Sequence, residues 1–285
     1  MQKSQAFLPK EKPRKTHKKL TTEGILGIPY YIVLIGLIVI PILMMILFSF
    51  QREGTSVFII SFTFEHYTRF LSERQFVELT IESLYLAGIA TLVTLMIGYP
   101  MAYLISRSKP RTQLLMILLI NAPMWINMLL RTRALQQVFE MLAPNLLGSN
   151  IGIIIGMTYI FLPFMILPIY AVLSKIDPSY FESAADLGAN KFQTITKVII
   201  PLSLSGILSG IMMVFLPAAT TLVIPKYLGN NRYLIGNLIE NAMIQQGRFG
   251  YGSAIAIVLS IIIMGFVYLI KKVDRFQGVN VDEDL

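Results

Sequence analysis

Asp177-Pro178-Ser179-Tyr180-Phe181-Glu182-Ser183-Ala184-Ala185-Asp186-Leu187-Gly188 is a polar break between two apolar runs, 151–173 and 198–223, and Pro201 follows thirteen residues after its glycine. Asp177 can cap a helix whose first residue is Pro178, where a missing N–H costs nothing. Gly188 supplies the permissive backbone that ends such a helix. Asn190 and Gln193 form a capping-box pair for a second short helix, and Pro201 marks the start of the next apolar run. The break therefore predicts two short helices around a glycine turn. On the first, Phe181, Ala184, Ala185 and Gly188 share a face that sets an aromatic beside small residues. On the second, Phe192, Ile195 and Ile199 make an apolar stripe able to lie against the ends of membrane spans.

The sequence around this break is too hydrophobic for a soluble domain. Of 285 residues, 55% are hydrophobic and 14% charged, with a mean hydropathy of +0.66, against roughly a quarter charged in an ordinary soluble domain. About 20 mostly apolar residues suffice to cross a bilayer. Six such runs occur, at 24–50, 80–105, 113–130, 151–173, 198–223 and 252–270. The expected fold is an all-α integral membrane protein with six transmembrane helices. The first run is longer than the apolar region of a signal peptide and is followed by no small-residue cleavage site, so it is expected to remain as an anchor.

The formal net charge of +8 is unevenly placed. Seven of the 24 basic residues, Lys3, Lys10, Lys12, Arg14, Lys15, Lys18 and Lys19, stand just before the first run. A polybasic segment there holds the terminus on the cytoplasmic side and is drawn to anionic headgroups of the lipid bilayer, not to nucleic acid. With that terminus inside, the cytoplasmic segments carry sixteen basic residues and the external ones eight. The positive-inside bias predicts that both termini and the loop 174–197 are cytoplasmic. Arg107, Lys109 and Arg111 fall in the inner set, Arg131 and Arg232 in the outer. The expected organisation is a basic tail, 1–23, a six-helix domain, 24–271, and a second cytoplasmic tail, 272–285.

Cysteine is absent and histidine occurs twice, so a thiolate metal site, a disulfide framework and a cysteine nucleophile are excluded. The sequence has no Gly-x-x-x-x-Gly-Lys-Ser/Thr phosphate loop, no His-Glu-x-x-His pair and no Gly-x-Ser-x-Gly elbow, and too few acids within the spans for a proton relay. A conduit without catalytic residues, metal or cofactor of its own is expected. Pro41, Pro100, Pro123, Pro163, Pro168 and Pro217 interrupt the runs, as hinges or as static kinks. Gly206 and Gly210, four apart, suit a close helix crossing.

Glu182-Ser183-Ala184, with Gly188 six and Pro201 nineteen residues beyond Glu182, is similar to the EAA signature of the permease subunits of binding-protein-dependent ATP-binding-cassette importers. Ser183 stands where that signature has its first Ala, Val198 where it has Ile, and Ile200 where it has Leu. The resemblance implies a MetI-like type I importer core in a bacterial inner membrane. It also implies that Glu182, Ser183, Ala184, Ala185, Asp186, Leu187 and Gly188 form a coupling helix, supported by Phe192 and Pro201, seated in a cleft of a separate ATPase that binds ATP and Mg. The stretches 121–131, 234–239 and 249–254 resemble the PotB-type permeases of spermidine/putrescine importers. That implies a PotA-type ATPase dimer, a PotC-type second permease and a PotD-type extracytoplasmic polyamine-binding protein as partners. Sulfate, molybdate and iron permeases share the scaffold, and a secondary transporter would need no ATPase.

A polyamine is a flexible polycation, so its path calls for carboxylates and for aromatic faces, worth ~0.5–2 kcal/mol per cation–π contact. Glu82 and Tyr85 near the outer end of the second span, Trp125 and Asn127 in the third, Tyr159 in the fourth and Glu240 before the sixth are the candidate path residues. Glu82 stands out, because an ionisable group in a span is costly unless it faces water or a partner; Glu82 and Glu240 also read as headgroup-level charges paired with a nearby Arg or Lys. Trp and Tyr also gather at bilayer interfaces as anchors, and Asn also bonds across helices.

Overall fold

The computed structural model describes residues 29–52 and 61–282. The basic tail with its seven lysines and arginines lies outside the described residues. The chain divides into two compact units, Met1–Leu47 and Phe48–Leu285. In the first, helix α1 (Pro29–Ser49, which ends two residues into the second unit) exposes apolar side chains on every face, among them Ile32, Leu37 and Leu43.

The second unit continues with α2 (Glu65–Ser72), α3 (Arg74–Ser106), α4 (Pro110–Asn121), α5 (Met128–Leu142), α6 (Asn150–Leu173) and α7 (Ser179–Asp186). There follow α8 (Lys191–Leu202), α9 (Leu204–Thr220), α10 (Val223–Leu228), α11 (Ile235–Glu240) and α12 (Phe249–Asp282). Among the described residues of the chain, four helices, α1, α3, α6 and α12, are long and apolar enough to cross a membrane, and up to six spans result if each of two bent pairs is one span. The 33 residues of α3 make a rod roughly 50 Å long at 1.5 Å per residue, longer than the ~30 Å hydrocarbon core.

Three helices, α3, α6 and α9, pack together as the centre of this unit. Leu86, Ala87 and Ala90 of α3, Ile153, Met157, Met165 and Ile169 of α6, and Val214 and Ala218 of α9 are buried there. Small residues let the rods approach. A Cβ on Gly98 would come 2.9 Å from Met165 Cγ, and one on Gly210 would come 2.7 Å from Met165 Sδ. Gly206 similarly abuts the Pro168 carbonyl at 3.0 Å, so the Gly206/Gly210 pair forms the close crossing its spacing predicts. The buried hydroxyls of Thr91 and Thr94 donate to the carbonyls of Ala87 and Ala90 at 2.7 and 2.6 Å, which satisfies both donors within α3.

Two of the expected runs are not straight spans. The third breaks after Trp125, where Pro123 sits in a terminal 3₁₀ turn, Ile126 is extended and Asn127 starts α5 at 96° to the preceding helix. The residues 128–130 therefore belong to the following helix, not to the span 113–130. The fifth bends by 69° at the buried Ser203, so its long segment begins at Leu204, beyond Pro201. The same local chemistry appears twice, in Ile40-Pro41 and in Ile200-Pro201. Each Ile-Pro follows a five-residue π-helical turn, Ile35–Val39 or Ile195–Ile199, and the Ile N–H bonds the carbonyl five residues back. A proline ring clashes with the carbonyl four residues before it and brings no N–H, so an extra residue in the preceding turn relieves the clash.

That extra residue also changes which side chains of α8 face inward. Ile199 is buried, whereas Phe192 is 75% exposed and Thr194 takes the inward position near the start of the helix. The expected stripe Phe192, Ile195, Ile199 is thus split. On α7, Phe181 packs on the central core and Ala184 is buried, while Ala185 and Gly188 are exposed. The aromatic and one alanine face the spans, and the rest of the expected face points away.

Candidate functional site

The loop between α6 and α9 is built by local hydrogen bonds. Asp177 Oδ1 accepts from the Ser179 N–H at 2.8 Å, and that bond, followed by one from the Ser179 hydroxyl, holds the carboxyl below the usual carboxylate range. At the other end of α7, Gly188 has φ +79°, its N–H bonds Ala185 O at 2.8 Å and the Ala189 N–H bonds Ala184 O at 3.0 Å. This pair of bonds is a Schellman termination, which needs the left-handed backbone that glycine adopts without strain. Asn190 and Gln193 then exchange the two bonds of a capping box, at 2.9 and 3.0 Å. The resulting helix pair exposes Glu182, Ser183, Ala185, Asp186 and Leu187, with Phe192 nearby, and Pro201 occupies the last turn of α8.

Side chains tie this loop to the ends of the spans. The Arg107 guanidinium, at the C-cap of α3, lies 4.1 Å from the centre of the Phe181 ring. Tyr99 of α3 and Ser203 at the α8–α9 bend are hydrogen-bonded at 3.0 Å. Gln113 donates to Ser106 O at 3.0 Å, which fixes the start of α4 against the end of α3.

At the opposite end of α3, the Glu82 carboxylate pairs with Arg232, which also donates to Asn150 at the start of α6. Ser83 accepts from the Ile235 N–H at 2.9 Å, and Asn237 donates to Leu222 O at 2.9 Å. Gly236 is needed because a Cβ would meet Thr220 O at 2.7 Å. A cavity of about 130 Å³ opens here, lined by Lys226, Asn231, Arg232, Tyr233, Asn237, Glu240, Asn241 and Gln245. Its wall includes Asn231 in the left-handed region, φ 60°, and the π-helical turn Asn241–Gln245.

The candidate path residues are therefore dispersed. Glu240 lines this cavity and Glu82 is paired with a residue that lines it. Tyr85 and Tyr159 are exposed on α3 and α6, Trp125 is 83% exposed at the 96° bend, and Asn127 accepts the Leu129 N–H at 2.8 Å as the cap of α5. Arg131, counted among the external basic residues, is buried in α5. The sequence offers a basic partner for Glu82 without saying which, and Arg232 and Asn150 lie far from it in the chain. Sequence reasoning counted Arg107 only as a topogenic charge, although a cation at a helix end beside a predicted aromatic loop was a usable signal.

A bundle of apolar helices, four to six of them spans by length and composition among the described residues, carries a capped helix pair at one end. Residues 94–274 match the family described as Binding-protein-dependent transport system inner membrane component, and the chain belongs to that family. Its relatives include the Spermidine/putrescine transport system permease protein PotB of Haemophilus influenzae, 32% identical over 266 residues, 87% of this chain and 93% of that one. The PotB protein of Escherichia coli is 34% identical over 254 residues, 83% of this chain and 92% of that one. Among solved structures, a chain of a bacterial ABC transporter involved in the import of the acidic polysaccharide alginate superposes with a TM-score of 0.65. It covers 92% of this chain and 99% of the other at 22% identity, a likeness of fold.

Proposed function

We propose that this chain is a permease subunit of an ATP-binding-cassette importer for polyamines, spermidine or putrescine. The observation that carries the reading is the capped helix pair of residues 177–202, laced to the ends of α3 and α9, in a chain whose relatives PotB are named for spermidine/putrescine transport. In this reading each bent pair counts as one span, which gives six, with both termini and the loop in the cytoplasm. The domain limits are 1–23, 24–271 and 272–285. The exposed residues of α7 and its cap, Glu182, Ser183, Ala185, Asp186, Leu187 and Gly188, with the buried Ala184 beneath them and Phe192 and Pro201 as supports, seat in an ATPase that binds ATP and Mg on a PotA-type dimer. A PotC-type second permease completes the path and a PotD-type binding protein delivers the substrate to the far end, where Glu240 and the cavity lie. Tyr85, Trp125, Asn127, Tyr159 and Glu82 remain candidates along the path.

The test is uptake by the complete complex in proteoliposomes. ATP-dependent accumulation of radiolabelled spermidine or putrescine, with no uptake of sulfate or iron, is expected. Glu182→Lys, which reverses a charge on the exposed face without touching the span packing, should abolish that uptake while the chain still inserts. Full uptake by this variant at normal expression would remove the role given to the loop.

A further inference from the structure

We propose that Arg107 is a positioning residue through which movement of the loop reaches α3. Helices α6 and α9 receive any displacement of the loop through the chain itself, since they flank it. Helix α3 has no covalent connection to the loop, yet it packs along both of them and carries Glu82 at its other end. It must take up the movement through side chains.

The Arg107 backbone is fixed as the C-cap of α3, with its N–H on Tyr103 O at 3.2 Å. A cation at that position is also favoured by the helix dipole. Its guanidinium crosses to the inward face of α7 and lies over Phe181, 4.1 Å from the ring centre, with the Tyr103 ring at 6.0 Å. Phe181 is itself packed on the core, one turn before the buried Ala184. A cation over an aromatic face is less directional than a hydrogen bond, so the two surfaces can slide while staying in contact. That is the property a contact needs when one helix rocks against another. The contact at the other end of the loop, Tyr99 with Ser203, is a directional hydrogen bond at a fixed bend and suits a pivot.

This inference rests on the reading of the loop as the ATPase-facing element, and the experiment separates the two. In the reconstituted complex, ATP hydrolysis and spermidine uptake are measured together. Arg107→Ala and Phe181→Leu should each lower the spermidine taken up per ATP about five-fold, the factor that one cation–π contact of ordinary strength accounts for, with hydrolysis itself unchanged. The double variant should be no worse than either single one, because both remove the same contact. Arg107→Lys, which keeps a cation, should recover part of the loss. Arg111→Ala removes a neighbouring exposed charge and should leave the ratio unchanged; an equal loss there would show that cytoplasmic charge, not stacking, is what matters and would overturn the proposal. So would an unchanged ratio in both Arg107→Ala and Phe181→Leu. Because the chain has no cysteine, spin labels at Leu104→Cys and Tyr180→Cys give a readout independent of substrate. Their separation should change with ATP by less in the parent, where the contact holds the sliding surfaces together, than in Arg107→Ala. If spermidine is not transported but the labels behave so, the substrate reading fails and the coupling role stands.

Discussion

At the loop end of α3, structure is made by neighbours in sequence: Asp177 with Ser179, Asn190 with Gln193, and Gly188 closing the helix that Asp177 opens. At the opposite end, Glu82 meets Arg232, which lies 150 residues further along the chain, and Ser83 meets Ile235, 152 residues away. The first kind of structure forms with little loop-closure cost and is exposed. The second depends on the whole bundle having assembled. The difference separates a self-supporting knob at one end from a joint between distant elements at the other.

The largest effect should come from the far joint. Glu82→Arg would set two guanidinium groups against each other where the paired side chains are only 28% and 32% exposed. Loss of the pair plus the new repulsion should cost about 2–3 kcal/mol, read as a lowered thermal unfolding midpoint in detergent. The charge swap Glu82→Arg with Arg232→Glu should recover at least half of that. A swap no better than the single variant would mean that the joint is not held by this pair.

A smaller and strictly local effect is expected at Gly188. Nothing lies within 4 Å of a Cβ built there, but its φ is +79°, so the penalty for Gly188→Val is backbone strain, roughly 1–2 kcal/mol. Amide exchange across α7 should accelerate while the unfolding midpoint of the bundle stays in place, and Gly188→Asn should be milder because asparagine tolerates this conformation. Loss of the midpoint as well would erase the distinction between a local knob and a global joint.

These same differences decide how much was legible in the sequence. The caps of the loop could be read because the bonding groups lie two to five residues apart and the residue types are those the geometry requires. The central packing was legible in part, since Gly206 and Gly210 announce a close approach but not that Met165 fills it. The bends were harder. Pro123 and Pro201 were visible, whereas the turn of 96° also depends on Asn127 recapping the backbone immediately afterwards, and the π turn before Pro201 rotates Phe192 out of the stripe to which its spacing assigns it. Arg232 carried no local sign of its partner. A lone arginine in a connecting segment reads as a solvated charge until the fold brings Glu82 and Asn150 to it.

The smallest effect concerns Asp177 and the pH range over which the knob keeps its first turn. The Ser179 N–H, and after it the Ser179 hydroxyl, hold this carboxyl below its ordinary value of 3.8. A group whose value is depressed in the folded state contributes stability that is fully present above the ordinary value and is lost as the pH falls through the lower, folded one. Protection of the Ser179 amide, corrected for intrinsic exchange, should therefore be flat from about pH 8 to about pH 5 and fall only below about pH 4. Asp177→Asn keeps an acceptor oxygen at the cap, so its protection should be slightly lower and show no such step. A step in the parent above pH 5, or one that survives in Asp177→Asn, would show that another group caps α7. The loop end would then owe its order to something other than its own neighbours, which is the property that sets it apart from the far joint.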